Sequence, residues 1–213
     1  SGAIGNLWDR VRWDLGVVDF IGPIDLAVLL MISLPPAIAW WYVIHPFVGF
    51  WRRVGKPITY MVLTVFFLGS MVGLFTIRDA LVLTDFGTNW ILIGVATVLV
   101  IPTIWLSIAR AKYLSFAILV GVPELEADGA GGKLLDEGIY AVTRNPRYVE
   151  VAMGTLAYAS FANYLGGYIL AVLTILGIHA VVVFEEKELG ERFGEQYDAY
   201  KARVPRYIPR GGV

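Results

Sequence analysis

Apolar runs of membrane length constrain this chain more than any other feature. About 20 consecutive apolar residues are needed for an α-helix to cross a ~30 Å hydrocarbon core. With 57% hydrophobic and only 16% charged residues, the chain supplies several such runs. They predict an all-α polytopic membrane protein with five spans: Ile24 to Ile44, Pro57 to Ile77, Trp90 to Ile108, Tyr148 to Tyr164 and Gly167 to Phe184. Pro35-Pro36 interrupts the first span and should kink it, because two backbone donors are missing and the rings crowd the preceding turn. Only Leu165-Gly166 separates the last two, which must therefore form a tight antiparallel hairpin. The fourth span is rich in small residues (Ala152, Gly154, Ala157, Ala159, Ser160, Ala162), as close helix packing in membranes requires.

The basic residues test the span count independently, since cytoplasmic loops hold most Lys and Arg. Five spans place Arg52, Arg53, Lys56, Arg110, Lys112, Lys133, Arg144, Arg147, Lys187, Arg192, Lys201, Arg203, Arg206 and Arg210 on one side. Only Arg10, Arg12 and Arg78 fall on the other. The expected topology is an outside N-terminus and a cytoplasmic C-terminus, with no removable signal peptide at the opening. Residues 1–109 read as a three-helix scaffold and 110–213 as the functional region of one integrated domain.

Composition also excludes chemistry. A net charge of −1 gives no basic stripe for nucleic acid. The absence of cysteine removes thiol nucleophiles, thiolate metal sites and disulfides, and His45 and His179 alone are too few for a histidine-rich metal site. No metal is expected. Gly129, Gly131 and Gly132 lie in a loop without either phosphate-cradle spacing, so they read as a flexible surface segment. Lys112 to Val122 is apolar enough to lie along the membrane interface. His179 reads as an interhelical hydrogen-bonding residue.

Polar residues concentrate at the ends of the last two spans. Beyond the fifth span the pattern becomes amphipathic, with Leu189, Phe193, Tyr197 and Tyr200 on one arc of a continued helix. That projection puts Glu186 inside the arc, between Phe193 and Tyr197, and Glu185 at its edge. A carboxylate on a buried stripe at the membrane surface needs a partner or a task. The plainer alternative is headgroup-level capping with pairing to Arg144 or Arg147.

The order GxY at Gly138 to Tyr140, RNPxY at Arg144 to Tyr148, a short hairpin, Glu185-Glu186, FGxxYxxY at Phe193 to Tyr200 and VPRxIP at Val204 to Pro209 resembles the isoprenylcysteine carboxyl methyltransferases and related phospholipid methyltransferases of bacterial or archaeal type. The resemblance covers roughly residues 110 to 210. It implies an intramembrane, S-adenosylmethionine-dependent methyltransferase, placed in a prokaryotic inner membrane, with its site on the cytoplasmic face. The substrate it implies is a lipophilic acceptor within the bilayer, a prenylcysteine-like carboxylate or a lipid amine, with membrane lipids as surroundings. By the same comparison Gly138, Tyr140, Asn145, Pro146, Tyr148, Glu185, Tyr197 and Tyr200 approach the cofactor. Glu186 and Arg144 are the catalytic candidates, and Arg192 and Arg206 are candidates for holding the acceptor. Asn145 stands where the family pattern RHPxY has histidine; it keeps hydrogen-bonding capacity but cannot titrate near neutrality. In the prenylcysteine branch a glycine precedes the Ile-Pro of the tail, where this chain has Tyr207. An NADPH-dependent intramembrane sterol or lipid reductase and a non-enzymatic membrane subunit are the competing readings.

Overall fold

The computed structural model describes residues 23–114, 122, 125 and 133–208. Arg10, Arg12, Arg210, Pro209, the three loop glycines and most of the interfacial segment after Lys112 lie outside the described residues. Eight α-helices are found among those described: α1 (Pro23–Ile44), α2 (Val48–Val54), α3 (Lys56–Thr76), α4 (Arg78–Val82), α5 (Trp90–Ala111), α6 (Pro146–Ala162), α7 (Leu165–Phe193) and α8 (Glu195–Arg203). Short 3-10 turns at His45–Phe47 and Gly138–Ala141 complete the order, and no strand occurs among the described residues.

Helices α3, α5 and α7 are long and apolar enough to cross a membrane; α1 and α2 together make a fourth span if their 85° bend is counted as one broken crossing. The five expected spans are thus matched only in part. Helix α6, expected as the fourth, has 17 residues and carries Arg147 and Glu150 in its first two turns, so it falls short by length and composition. Only 11% of the most apolar stretch of α3 and of α5 is buried, and Val65, Val98 and Ile91 stand 67%, 67% and 79% exposed. Such surfaces are suited to lipid rather than to water.

Local chemistry sets the boundaries. Asn89 caps α5, its side-chain oxygen accepting from the backbone N–H groups of Ile91 at 3.0 Å and Leu92 at 3.2 Å, which satisfies two of the four orphan donors at a helix start. The hairpin between α6 and α7 turns at Asn163 and Tyr164, not at Leu165-Gly166. Asn163 adopts a left-handed conformation, which Asn tolerates, and its side chain accepts from the Tyr168 hydroxyl and donates to the Gly87 carbonyl. Gly166 is instead inside α7, where a Cβ would collide with the Leu81 carbonyl. That turn also pairs with the loop before α5 through Phe86 N–H to Asn163 O and Leu165 N–H to Thr84 O.

The small residues of α6 are spent on packing. A Cβ on Gly154 would lie 3.3 Å from Thr103 of α5, while Gly167 of α7 sits against Ala159, which is fully buried. The close approach of α5 and α7 fills this face, as the small residues of the fourth span led one to expect.

Candidate functional site

At the opposite end of the α6–α7 hairpin the chain gathers its charges. Pro146 occupies the first turn of α6, where its missing N–H costs nothing, and it is fully buried. The preceding Asn145 is at the N-cap position but makes no side-chain cap. Its amide nitrogen donates to Glu186 Oε1 at 3.0 Å and to the Arg206 carbonyl at 3.2 Å. A residue type that usually closes a helix end has been diverted into a network.

Glu186 is the centre of that network. Its Oε1 accepts from Arg144 Nε at 3.2 Å, Arg144 Nη2 at 3.0 Å and Asn145; its Oε2 accepts from Arg206 Nη2 at 2.7 Å, Arg206 Nε at 3.1 Å and Arg144 Nη2 at 3.3 Å. The Arg144 and Glu186 side chains are 8% and 7% exposed, so the pair has left water and depends on this saturation. Arg206, 38% exposed, forms the open edge. Its guanidinium is held still more firmly in the charged form, first by the hydrogen bond to Glu186.

The same contacts fasten the tail. Arg144 Nη1 donates to the carbonyls of Lys201 at 2.9 Å and Val204 at 3.2 Å, its backbone N–H donates to Pro205 O at 3.0 Å, and Thr143 Oγ1 donates to Arg206 O at 3.2 Å. Tyr200 donates to the Tyr140 carbonyl at 2.7 Å. The RNP segment and the tail therefore form one body across about sixty residues of sequence.

The projected C-terminal arc needs correction. Helix α7 ends at Phe193, and Gly194, at φ +53°, breaks the path before α8 begins. Glu186 does not lie between Phe193 and Tyr197 on a continuous helix; it faces Arg144 and Arg206. Even so, Leu189, Phe193, Tyr197 and Tyr200 meet in one apolar cluster with Leu134 and Val204. The cluster is assembled by the turn rather than by helical periodicity.

Beside the network, the Tyr148 hydroxyl donates to the Glu185 carboxylate. Arg147 lays its guanidinium 4.4 Å from the Trp41 ring centroid, tying α6 to α1. Gly138 is required twice over: its φ is +58°, and a Cβ there would collide with the Tyr113 side chain. Tyr113 in turn meets Tyr140 edge-on at 6.1 Å. Tyr140 and Tyr200 are pushed above the ordinary tyrosine range by burial. Tyr197 is 1% exposed, its hydroxyl has no hydrogen-bond partner among the described residues, and burial pushes it up to about 12. Arg192 stands apart from Glu186, with its guanidinium 5.1 Å from the Phe193 ring centroid.

Two features escaped the sequence reading. Arg110 and Glu150 form a two-pronged ion pair at 2.7 and 3.3 Å, with side chains 12% and 16% exposed, joining the end of α5 to the second turn of α6. A carboxylate in the second turn of an apolar helix was its only signal. His179, expected to bond between helices, has Nδ1 2.8 Å from the Tyr207 hydroxyl, in the tail.

Among the described residues no group of three or more His, Asp or Glu is arranged to hold a metal ion. The phospholipid methyltransferase family model matches residues 90–196, half of the chain, taking in α5, the hairpin and the Glu186 network up to the start of α8. This chain belongs to the phospholipid methyltransferase family. The match stops before the tail, so Arg206 and Tyr207 join the site through the contacts above rather than through the matched region. No curated protein and no solved structure matches the chain.

Proposed function

We propose that this protein transfers a methyl group from S-adenosylmethionine to a lipophilic acceptor at the cytoplasmic membrane face. The observation that carries this reading is the convergence of RNPxY, the paired glutamates and the tail at one end of an apolar helical hairpin, in a chain of a methyltransferase family. Helix α6 runs antiparallel beside α7, which is long enough to cross, so we take α6 as a crossing too and the topology as five spans. On that count the basic loops support a cytoplasmic position for the network.

The donor set fits the cofactor. A ligand with an amino-acid carboxylate, an ammonium and a purine needs donors and acceptors in one place, and the orphaned Tyr197 hydroxyl is a buried group lacking a partner. Gly138, Tyr140, Asn145, Pro146, Tyr148, Glu185, Tyr197 and Tyr200 would hold it, and Arg206, on the open edge, would meet an anionic part of the acceptor. Arg192 is the second candidate for that task. When bound, the cofactor supplies an electrophilic methyl carbon. The chain's task is then alignment and exclusion of water, and orientation alone is worth up to ~7–11 kcal/mol in such displacements. Glu186, with three donors on each oxygen, is suited to holding Arg144 and Arg206 in place.

Calorimetry or thermal shift on detergent-purified protein tests the reading. S-adenosylhomocysteine should bind and stabilise, and labelled methyl groups should enter extracted membrane lipids. Stabilisation by NADPH alone would establish the reductase reading instead.

A further inference from the structure

Methylation of an amine requires that a proton leave the acceptor nitrogen, and Glu186 has no lone pair left to receive it. Seven residues earlier on α7 is His179, which at ~100° per residue lies on nearly the same face, about 10 Å further from the charged network. Its side chain is exposed, within a helix long and apolar enough to cross a membrane. An exposed imidazole at such a depth is costly unless it has a task.

The tail addresses both residues in register. Arg206 holds Glu186, and the next residue, Tyr207, reaches His179 at 2.8 Å, with the rings 5.9 Å apart. Tyr207 also packs against the buried cluster of Trp41, Tyr148, Ile178, Val181 and Val182, which fixes its ring. If the Tyr207 oxygen accepts from Nδ1–H, the Nε2 lone pair is directed away from the tail. The titratable and charged groups around this packed cluster are Tyr42 of α1, Arg147 and Tyr148 of α6, Glu185 and Glu186 of α7, and Arg206 and Tyr207 of the tail.

We propose that His179, oriented by Tyr207, is the proton acceptor for a lipid amine that reaches the site from the bilayer along this face of α7. The proposal rests on the methyltransferase reading with an amine acceptor, since a carboxylate would need no such base. The headgroup ammonium gives one proton to Nε2. The nitrogen lone pair so freed forms the N–C bond as the C–S bond of the sulfonium methyl donor breaks, its electron pair remaining on sulfur. The proton then passes from His179 to water.

The test uses the full chain in detergent with the His45→Gln substitution, which leaves His179 as the one imidazole, and follows its ring signals by NMR across pH. Micelles containing phosphatidylethanolamine, with no methyl donor present, should displace the His179 titration, whereas phosphatidylglycerol should not; an unmoved titration overturns the proposal. Tyr207→Phe should move the same signals. In turnover assays with phosphatidylethanolamine, His179→Gln should lower kcat by roughly 10²–10⁴-fold, the range for loss of a general base. The deficit should shrink at high pH, where the amine is already neutral, and KM should stay nearly constant. Wild-type turnover in His179→Gln across the whole pH range would equally overturn it. Binding of S-adenosylhomocysteine reads the methyltransferase assignment separately, so the two ideas can fail independently.

Discussion

Arg144 and Arg206 approach the same carboxylate, that of Glu186, from segments 62 residues apart, and each places two guanidinium nitrogens on it. Neutralising the carboxylate as Glu186→Gln would leave two cations facing each other at a mostly buried site. Breaking a buried pair in this way costs about 3–5 kcal/mol. The expected outcome is a lowered unfolding temperature with helical circular dichroism retained at room temperature, together with loss of turnover. An unchanged unfolding temperature would show that Glu186 does not organise the tail.

Asn145 offers a graded version of the same experiment. Asn145→Ala removes one donor and should raise the dissociation constant of S-adenosylhomocysteine severalfold. Asn145→Asp puts a second carboxylate within 3.0 Å of Glu186 Oε1 and should be worse, through like-charge repulsion. Titration calorimetry ranks the three proteins; Asp binding as well as Asn would rule out this placement.

The Arg110–Glu150 pair predicts a non-additive outcome. Either single alanine substitution strands a charge at a largely shielded position and should destabilise by about 3–5 kcal/mol, whereas the double substitution should cost less than the sum. Thermal unfolding of the four proteins measures the coupling. Strict additivity would mean the two side chains do not act as a pair.

Gly138→Ala combines a left-handed backbone with a collision. The backbone part alone is of order 1–3 kcal/mol. Adding Tyr113→Ala should recover the steric portion and leave the conformational one, again read by unfolding temperature. Full recovery, or none, would contradict the double origin.

Tyr197 carries a pH signature. Its proton is held up to about 12 in the folded protein, against about 10 when unfolded. Between those values the unfolded chain releases the proton first, so stability is full below pH 10 and falls as pH rises toward 12. Tyr197→Phe should flatten that decline in alkaline unfolding curves, and an unaltered slope would assign it to other groups.

Helix positions were legible where apolar runs have clear ends: α3, α5 and the start of α6 agree with expectation within a few residues. The meeting of Arg144 with Glu186 was legible too, as the plainer of two alternatives, because a hairpin must return the chain to the face it left. Three things were not. The hairpin turn was misplaced because Gly166 looked like a turn glycine, whereas Gly is needed there for contact with the Leu81 carbonyl. The break at Gly194 lay hidden inside an otherwise helical pattern, since a left-handed glycine leaves no mark on hydrophobic periodicity. The tail's engagement of Glu186 and His179 is long-range, and no local propensity encodes it.

The fastening of Arg144 by residues 186 to 206 has a consequence for biosynthesis. At roughly 5–20 residues per second, a ribosome presents Arg144 at the membrane seconds before Arg206 exists to share its carboxylate. Through that interval the Arg144 guanidinium has neither the glutamate nor the tail carbonyls to receive it. Until residues 186 to 206 are made, water, anionic lipid headgroups or another protein must stand in as partners for that charge.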